Sequence, residues 1–333
     1  MAKVAINGLG RIGRATLKVV MDNPDLELVA VNDIASPENI AYLIKYDTVY
    51  GRYGHAVSVD DGKLTIGKSS VAFLSERDPA QLPWKEMGVD IVFECTGIFT
   101  KKEDAAKHAE AGAKFVLISA PTKSEDVPTV VYGVNTDAGE ATVISCASCT
   151  TNSITPVVEV MGRHFGIQKA LLTTVHAYTA SQTIVDGPSA KNFRRGRAGA
   201  ANLVPASTGA AIATTKALPQ YEGKFDGVAI RVPIPVGSVS DLVFLLEKDV
   251  TKEEVNEVLR KEVAGDQYKG IMAATDDPIV SSDIVGDPHA CTIDLEMTTV
   301  VDGNLVKIFS WYDNEWGYTN QMVRKAVDLA KTL

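Results

Sequence analysis

Two cysteines three residues apart, Cys146 and Cys149, stand in the stretch Ser-Cys-Ala-Ser-Cys-Thr-Thr-Asn at 145–152 of a chain that has only two others, Cys95 and Cys291. Such a pair suits a metal clip, a redox couple, a catalytic thiol, or a small buried turn with no chemistry. Zinc needs a second Cys or His pair at ligand spacing, and neither the other cysteines nor the five histidines supply one, so no metal site is expected. A redox pair of this spacing belongs near the start of a small domain, and this one lies mid-chain. The thiol reading has positive support. Cys149 falls between an apolar run at 142–145 and a helical pattern at 151–164, apolar at Ile154, Val157, Val158 and Met161. A thiol at a helix start faces the positive end of the dipole, which is expected to lower its pKa. His176, directly after the apolar run 170–175, is the candidate base. Pairing the two is an inference about the fold, and a core cysteine and a structurally satisfied histidine remain open alternatives.

A second chemistry is written at the amino terminus. Gly8-Leu9-Gly10-Arg11-Ile12-Gly13 follows a short apolar run and opens an amphipathic stretch at 12–21. Glycines at that spacing make a tight turn, let the backbone approach a pyrophosphate, and let helix and strand pack closely. The helix start supplies unpaired N–H groups for the phosphates. Asp33 closes the next apolar run, 20 residues after Gly13, where an acid binds a ribose 2′-hydroxyl. A carboxylate there repels the extra phosphate of NADP, which favours NAD.

These groups need elements to position them. In the first half, strand-like runs at 4–6, 28–32, 91–95, 115–119, 130–133 and 142–145 alternate with helical stretches such as 102–111. That rhythm predicts a parallel sheet covered on both faces, a Rossmann-type dinucleotide-binding domain in an α/β chain. A polar interlude at 57–73, turning at Asp60-Asp61-Gly62, reads as an inserted hairpin. The second half carries longer alternating strands at 228–233, 239–247, 292–301 and 305–312. They predict a second, α+β domain on a largely antiparallel sheet. Thr251 with Glu254 three residues on marks a capping box for a helix at 251–264. Residues 182–206, rich in Gly, Pro and Arg, have no clear period, and a loop of that length is usually functional. The last element is a helix at 318–333. The boundary between domains is expected near Cys149.

Composition narrows the partners. The net charge is −9, which argues against nucleic acid or anionic membrane as the main partner. The amino terminus has no charged leader, and no apolar run approaches the length of a membrane span, so a cytosolic protein with reduced thiols is expected.

The motifs converge. INGLGRIGR (6–14), ECTGIF (94–99), ISAP (118–121), SCASCTTN (145–152), TVHAYT (174–179), PASTGAA (205–211), RVP (231–233) and WYDNEWGY (311–318) together closely resemble phosphorylating glyceraldehyde-3-phosphate dehydrogenases, in order and over essentially the whole chain. The resemblance implies Cys149 as nucleophile and His176 as the group that activates it and moves protons. It implies a glycolytic oxidation of glyceraldehyde 3-phosphate by NAD and inorganic phosphate, through a thiohemiacetal and a thioester, to 1,3-bisphosphoglycerate. By the same match, Thr179 and Arg231 serve the substrate phosphate. Ser148, Thr150, Thr208 and Gly209 serve the attacking phosphate, and Arg195 reaches between the two. Gly8, Gly10, Arg11, Ile12, Gly13, Asp33, Arg77, Thr96, Ser119 and Asn314 are implicated in holding NAD, with Asn314 on the nicotinamide carboxamide. A homotetramer is implied, with residues 178–206 as the S-loop near the cofactor and a neighbouring subunit. The expected domains are 1–148, with the helix 318–333 packing back on it, and 149–317.

Two positions depart from the family pattern. Cys146 stands where asparagine is usual, and Ser153 where a second cysteine is common. The plain reading is one small buried residue for another; the alternative is a reversible disulfide with oxidised Cys149. Ala190, after Gly187-Pro188-Ser189, replaces a frequent Lys or His, while Pro188 fits NAD use. The competing functions are an erythrose-4-phosphate dehydrogenase of the same fold and a non-catalytic cofactor-sensing or RNA-binding role.

Overall fold

The apolar run at the amino terminus forms β1 (Ala2–Asn7), which feeds through the glycine turn into α1 (Arg11–Met21) and returns in β2 (Leu26–Asn32), parallel to β1. The turn is tight for a visible reason. A Cβ on Gly13 would lie 1.9 Å from the Gly8 carbonyl oxygen, and Gly8 itself has φ +90° against Thr96. A Cβ on Gly10 would meet nothing within 4 Å, so the space above the helix start is open. The computed structural model describes residues 1–190 and 192–333 and divides them into two units, Met1–Ala147 with Thr319–Leu333, and Ser148–Tyr318.

In the first unit, α2 (Pro37–Lys45) starts at a Ser36 cap with proline at its first position, a favourable pairing of cap and fixed φ. A small ribbon of β3 (Tyr46–Asp47) and β4 (Gly51–Arg52) follows. The polar interlude forms β5 (Val57–Asp60) and β6 (Lys63–Ile66), and β7 (Ser69–Leu74) pairs antiparallel to β6 and parallel to β2. The hairpin is therefore grafted onto the main sheet. Beyond α3 (Trp84–Met87) come β8 (Ile91–Glu94), α4 (Lys102–Ala105), α5 (Lys107–Glu110), β9 (Phe115–Ile118) and β10 (Val143–Ser145). The sheet order is β10-β9-β8-β1-β2-β7-β6-β5, parallel from β10 to β7.

Two expected elements differ. The strand expected at 130–133 is cut to a single bridge and a turn: the Val130 N–H donates to Ser145 O of β10 at 2.8 Å, but Asn135 then accepts from the Val131 N–H and donates to the Thr129 carbonyl, which stops the pairing there. The helix expected over 102–111 is divided into α4 and α5 at Ala106.

In the second unit, α6 (Cys149–Phe165) precedes β11 (Ile167–Ala177), the longest strand of a seven-stranded sheet together with β16. β12 (Val204–Ser207), α7 (Ala210–Ala217), β13 (Phe225–Val232) and β14 (Ser238–Leu246) follow. Then come α8 (Lys252–Ala264), β15 (Met272–Thr275), β16 (Cys291–Val301) and β17 (Leu305–Tyr312), and last α9 (Trp316–Ala330), which from Thr319 on belongs to the first unit. The order β12-β13-β11-β14-β17-β16-β15 is antiparallel except at β13–β11 and β16–β15. The capping box at Thr251 and Glu254 is formed. Residues 182–206 are not structureless: Gly187 N–H donates to Gly196 O at 2.8 Å, and Asp186 pairs with Arg197 at 2.9 Å, closing the loop on itself. Lys191, inside that segment, lies outside the described residues. The segment Thr319–Leu333 packs with the first unit, where Lys325 Nζ donates to Thr136 O at 2.7 Å.

A methyl on Gly13 meets backbone that cannot yield, at a cost of about 1–3 kcal/mol for overpacking. Gly13→Ala is expected to weaken ADP-ribose binding, followed by calorimetry, by about tenfold or more. Unchanged affinity would show that the close strand–helix contact is not what shapes the turn.

Candidate active site

Cys149 is the first residue of α6, and Ser148 is its cap, with Oγ accepting from the Thr151 N–H at 3.1 Å. His176 stands one residue before the end of β11 and is only 3% exposed. The two meet: Cys149 Sγ lies 3.4 Å from His176 Nε2. Tyr312 packs edge-on against the imidazole, with ring centroids 6.0 Å apart. Its hydroxyl lies 2.9 Å from both Thr150 Oγ1 and Thr174 Oγ1, which ties the start of α6 to β11.

Arg231 completes the pair. Parallel register places it opposite His176, and its guanidinium reaches His176 Nδ1 at 2.6 Å and Ala177 O at 3.0 Å. Nδ1 is also 2.7 Å from Ala177 O. A guanidinium has only hydrogens to offer, so its bond to Nδ1 and a proton on Nδ1 exclude each other. While Arg231 holds Nδ1, a neutral ring carries its proton on Nε2, facing the sulfur. When an anion claims Arg231, Nδ1–H can donate to Ala177 O and Nε2 becomes an acceptor for the thiol proton.

The charges follow from burial first. Burial raises the pKa of Cys149; Arg231 opposes it most, followed by the N–H and hydroxyl of Thr150 and the N–H of Cys149 itself. The expected lowering by the helix start is thus present but outweighed. Burial, the Arg231 charge and the more distant Arg195 charge push His176 down to about 3, against the pull of Ala177 O. Both shifts favour the neutral forms of the pair.

The anion-binding candidates fall in the same unit. Thr179 Oγ1 lies 2.9 Å from Ser181 Oγ, and Arg195 NH1 lies 3.4 Å from that same Ser181 oxygen. Ser181 was not singled out from the sequence; its only signal is a hydroxyl two residues after Thr179. Thr208 Oγ1 accepts from the Ala210 N–H at 3.2 Å, and Gly209 precedes α7 with no side-chain cap. Thr150 is buried, its hydroxyl turned to Tyr312. Arg197, unlike Arg195, is spent on Asp186 at the surface.

The first unit holds a cavity of about 280 Å³ lined by Asn7, Gly8, Gly10, Asn32, Asp33, Ile34, Glu76, Arg77, Cys95, Thr96, Ile98 and Phe99. Gly8, Gly10, Asp33, Arg77 and Thr96 were expected there; Asn7, Asn32, Glu76 and Phe99 were not. Asp33 accepts from the Leu9 N–H at 2.6 Å and the Ala35 N–H at 2.9 Å, so it also braces the glycine turn. Arg11 turns its guanidinium to Asp47 at 2.5 Å, and Arg11 and Ile12 stand in the first turn of α1. Ser119 donates its N–H to Glu94 O after β9 and is outside the lining set. The open space above Gly10 and the uncapped start of α1 suit a diphosphate, and the Asp33 carboxylate suits a ribose diol. Asn314 belongs to the second unit, 5% exposed, with Oδ1 bonded to Gly237 N and Ser238 Oγ. Cys146 is buried in the first unit and its thiol is pushed up to about 12, which makes it a poor partner for an oxidised sulfur and favours the plain reading of that position. Among the described residues, no group of three or more His, Cys, Asp or Glu side chains is placed to hold a metal ion.

Two family models match the chain. The NAD binding domain of glyceraldehyde 3-phosphate dehydrogenase covers residues 2–102, and the C-terminal domain of the same family covers 148–314. Among curated relatives, a glyceraldehyde-3-phosphate dehydrogenase of Streptomyces coelicolor is 51% identical over 335 residues, spanning 99% of each chain. One from Geobacillus stearothermophilus is 50% identical over 331 residues, 98% of each. Glyceraldehyde-3-phosphate dehydrogenase 1 of Bacillus subtilis is 48% identical over 332 residues, 99% of this chain and 98% of the relative.

Because the Arg231 charge favours the thiolate directly but opposes a proton on His176, its direct effect is read without the ring: in a His176→Asn background, Arg231→Leu is expected to move the thiol pKa upward, by about one unit or more for a charge this close. The check is the pH dependence of Cys149 alkylation by uncharged iodoacetamide in cofactor-free protein. An inflection that stays put, or falls, would remove Arg231 as the thiol's counter-charge.

Proposed function

The chain belongs to the glyceraldehyde-3-phosphate dehydrogenase family, and from that premise we propose that it oxidises glyceraldehyde 3-phosphate with NAD and inorganic phosphate to 1,3-bisphosphoglycerate through an acyl group on Cys149. It is an NAD-dependent oxidoreductase of glycolysis. The observation that carries the mechanism is the 3.4 Å approach of Cys149 Sγ to His176 Nε2, with Arg231 on the far nitrogen of the ring.

In this reading the substrate phosphate engages Arg231, Arg195 and Thr179, with Ser181 beside them. That draws Arg231 from Nδ1, and His176 takes the thiol proton at Nε2 as sulfur attacks the aldehyde carbon. A C–S bond forms, the carbonyl electron pair moves to oxygen, and the Cys149 N–H at the helix start steadies the charge. His176 returns its proton to that oxygen, which gives the thiohemiacetal and a neutral ring. NAD, when bound in the first unit, supplies the hydride acceptor. His176 removes the hydroxyl proton as the carbonyl re-forms, leaving a thioester. Ser148, Thr150, Thr208 and Gly209 receive inorganic phosphate, whose oxygen attacks the thioester carbon and expels the Cys149 thiolate. The first unit is thus assigned the cofactor and the second the acyl chemistry.

The reading extends to assembly and place. On the second sheet, Leu171 is 64% and Val228 52% exposed, and Ile184, Val185, Phe193 and Leu203 of the 178–206 segment are also exposed. Apolar area of that kind supports burial against further copies of the chain, a homotetramer. No helix among the described residues is long and apolar enough to cross a membrane. The glycolytic reaction and a working thiol suit the cytoplasm, where cysteines stay reduced.

Absorbance at 340 nm with glyceraldehyde 3-phosphate and NAD, with and without inorganic phosphate, tests the proposal on wild type and Cys149→Ser. Phosphate-dependent NADH formation that vanishes in the variant is the expected result. Equal turnover without phosphate would mean water, not phosphate, resolves the thioester, and faster turnover of erythrose 4-phosphate would reassign the substrate.

A further inference from the structure

Asn314 takes two hydrogen bonds on its side-chain oxygen, from Gly237 N–H at 3.2 Å and from Ser238 Oγ at 2.9 Å. A backbone N–H can only donate. The Ser238 hydroxyl has one hydrogen and two lone pairs, and one lone pair takes the Ala177 N–H at 3.1 Å. The Gly237 N–H fixes Asn314 Oδ1 on this side, and the hydroxyl hydrogen is the second donor to the same oxygen. Turning the amide over would set its NH2 group against the Gly237 N–H and remove the hydroxyl's acceptor, so one orientation satisfies both neighbours. The backbone that presents these donors is itself pinned: Gly237 has φ +94°, and a Cβ there would lie 2.3 Å from Ser281 O. Ser238 is 1% and Asn314 5% exposed, so water cannot replace these partners at no cost. The amide nitrogen of Asn314 has no partner among the described residues and is the group left to meet a ligand.

We infer that Ser238 is a positioning residue for the cofactor: it holds Asn314 with its amide hydrogens outward, so that the nicotinamide carboxamide is taken by its oxygen and in one orientation. The inference rests on the reading that Asn314 binds that carboxamide. It adds that specificity for the carboxamide oxygen is set one residue further back, by the Gly237 N–H together with a hydroxyl that touches no ligand. Since Ala177 follows His176 on β11, the same hydroxyl also ties the cofactor clamp to the strand that carries the base.

The test is calorimetric binding of NAD and of ADP-ribose, which lacks nicotinamide, to the cofactor-free full chain. Wild type, Ser238→Ala, Asn314→Ala and the double variant are compared. Loss of one net hydrogen bond's worth of orientation predicts about a fivefold loss of NAD affinity in Ser238→Ala, with ADP-ribose affinity retained. Asn314→Ala is expected to lose more, and the double variant no more than Asn314→Ala alone, because Ser238 acts through Asn314. Additive losses, or equal weakening of both ligands by Ser238→Ala, would mean a merely structural serine and overturn the inference. If Asn314→Ala leaves the NAD to ADP-ribose ratio unchanged, the underlying assignment of Asn314 fails. If Asn314→Ala collapses the ratio while Ser238→Ala does not move it, the role of Ser238 alone fails.

Discussion

One guanidinium governs the chemistry of the second unit. Arg231 sits beside an imidazole and, through it, a thiol, and it acts on the two in opposite senses. It favours the negative sulfur and disfavours the positive ring. Its place is dictated by register. β13 runs parallel to β11, and His176 faces Arg231 across the pair. A slip of one residue would send every side chain of the strand to the other face, so the alignment that buries the sheet also aims the charge. Arg231 in turn has burial lowering its own pKa and the sulfur raising it, so the three groups share one electrostatic balance.

The first unit solves a different problem, holding a polar pocket rigid at the edge of an apolar core. Behind the pocket wall the Glu94 carboxylate is fully buried and collects hydrogens from the Thr96 N–H at 2.8 Å, the Thr96 hydroxyl and Asn7 Nδ2 at 2.6 Å. Trp84 Nε1 can only donate, and it does so to His108 Nδ1 at 3.0 Å, which leaves the histidine proton on Nε2 facing Glu94 at 3.0 Å. Asn7 Oδ1 accepts from Asn32 Nδ2 at 2.7 Å, and Asn32 grips both the N–H and the carbonyl of Glu76. A buried carboxylate without such donors would be strongly destabilising, whereas with every hydrogen assigned the network favours one arrangement of the pocket floor.

The parts of this fold that were legible in the sequence are those with a local cause. The glycine turn is read from Gly8, Gly10 and Gly13 because each glycine answers a steric demand, and the Thr251–Glu254 box because capping is satisfied within four residues. Cys149 and His176 were recognisable separately, but their 3.4 Å contact is a product of tertiary packing 27 residues apart. The turn at 130–133 was missed because an apolar Val130–Val131 pair looks like a strand until Asn135 is seen to take the Val131 N–H, ending the pairing that Val130 begins with Ser145. Asn7, Asn32 and Ser238 were invisible for a related reason. Their importance lies in which way a hydrogen points, and no residue spacing encodes that.

The helix start beneath Cys149 illustrates how magnitudes decide between two sound arguments. A macrodipole contributes at most about 2 kcal/mol in partly buried geometry, or roughly one and a half pKa units at about 1.4 kcal/mol each. Removing a thiolate from water shifts a pKa by up to about 3–5 units in the other direction. The second effect is larger, which is why the thiol ends above its ordinary value even with Arg231 and Thr150 pulling it down. A permanently ionised sulfur at this partly exposed position would also be open to oxidation whenever the site stood idle. If an anion draws Arg231 from Nδ1, ionisation becomes conditional on the ligand that needs it, and the helix start contributes by steadying the charge once it forms.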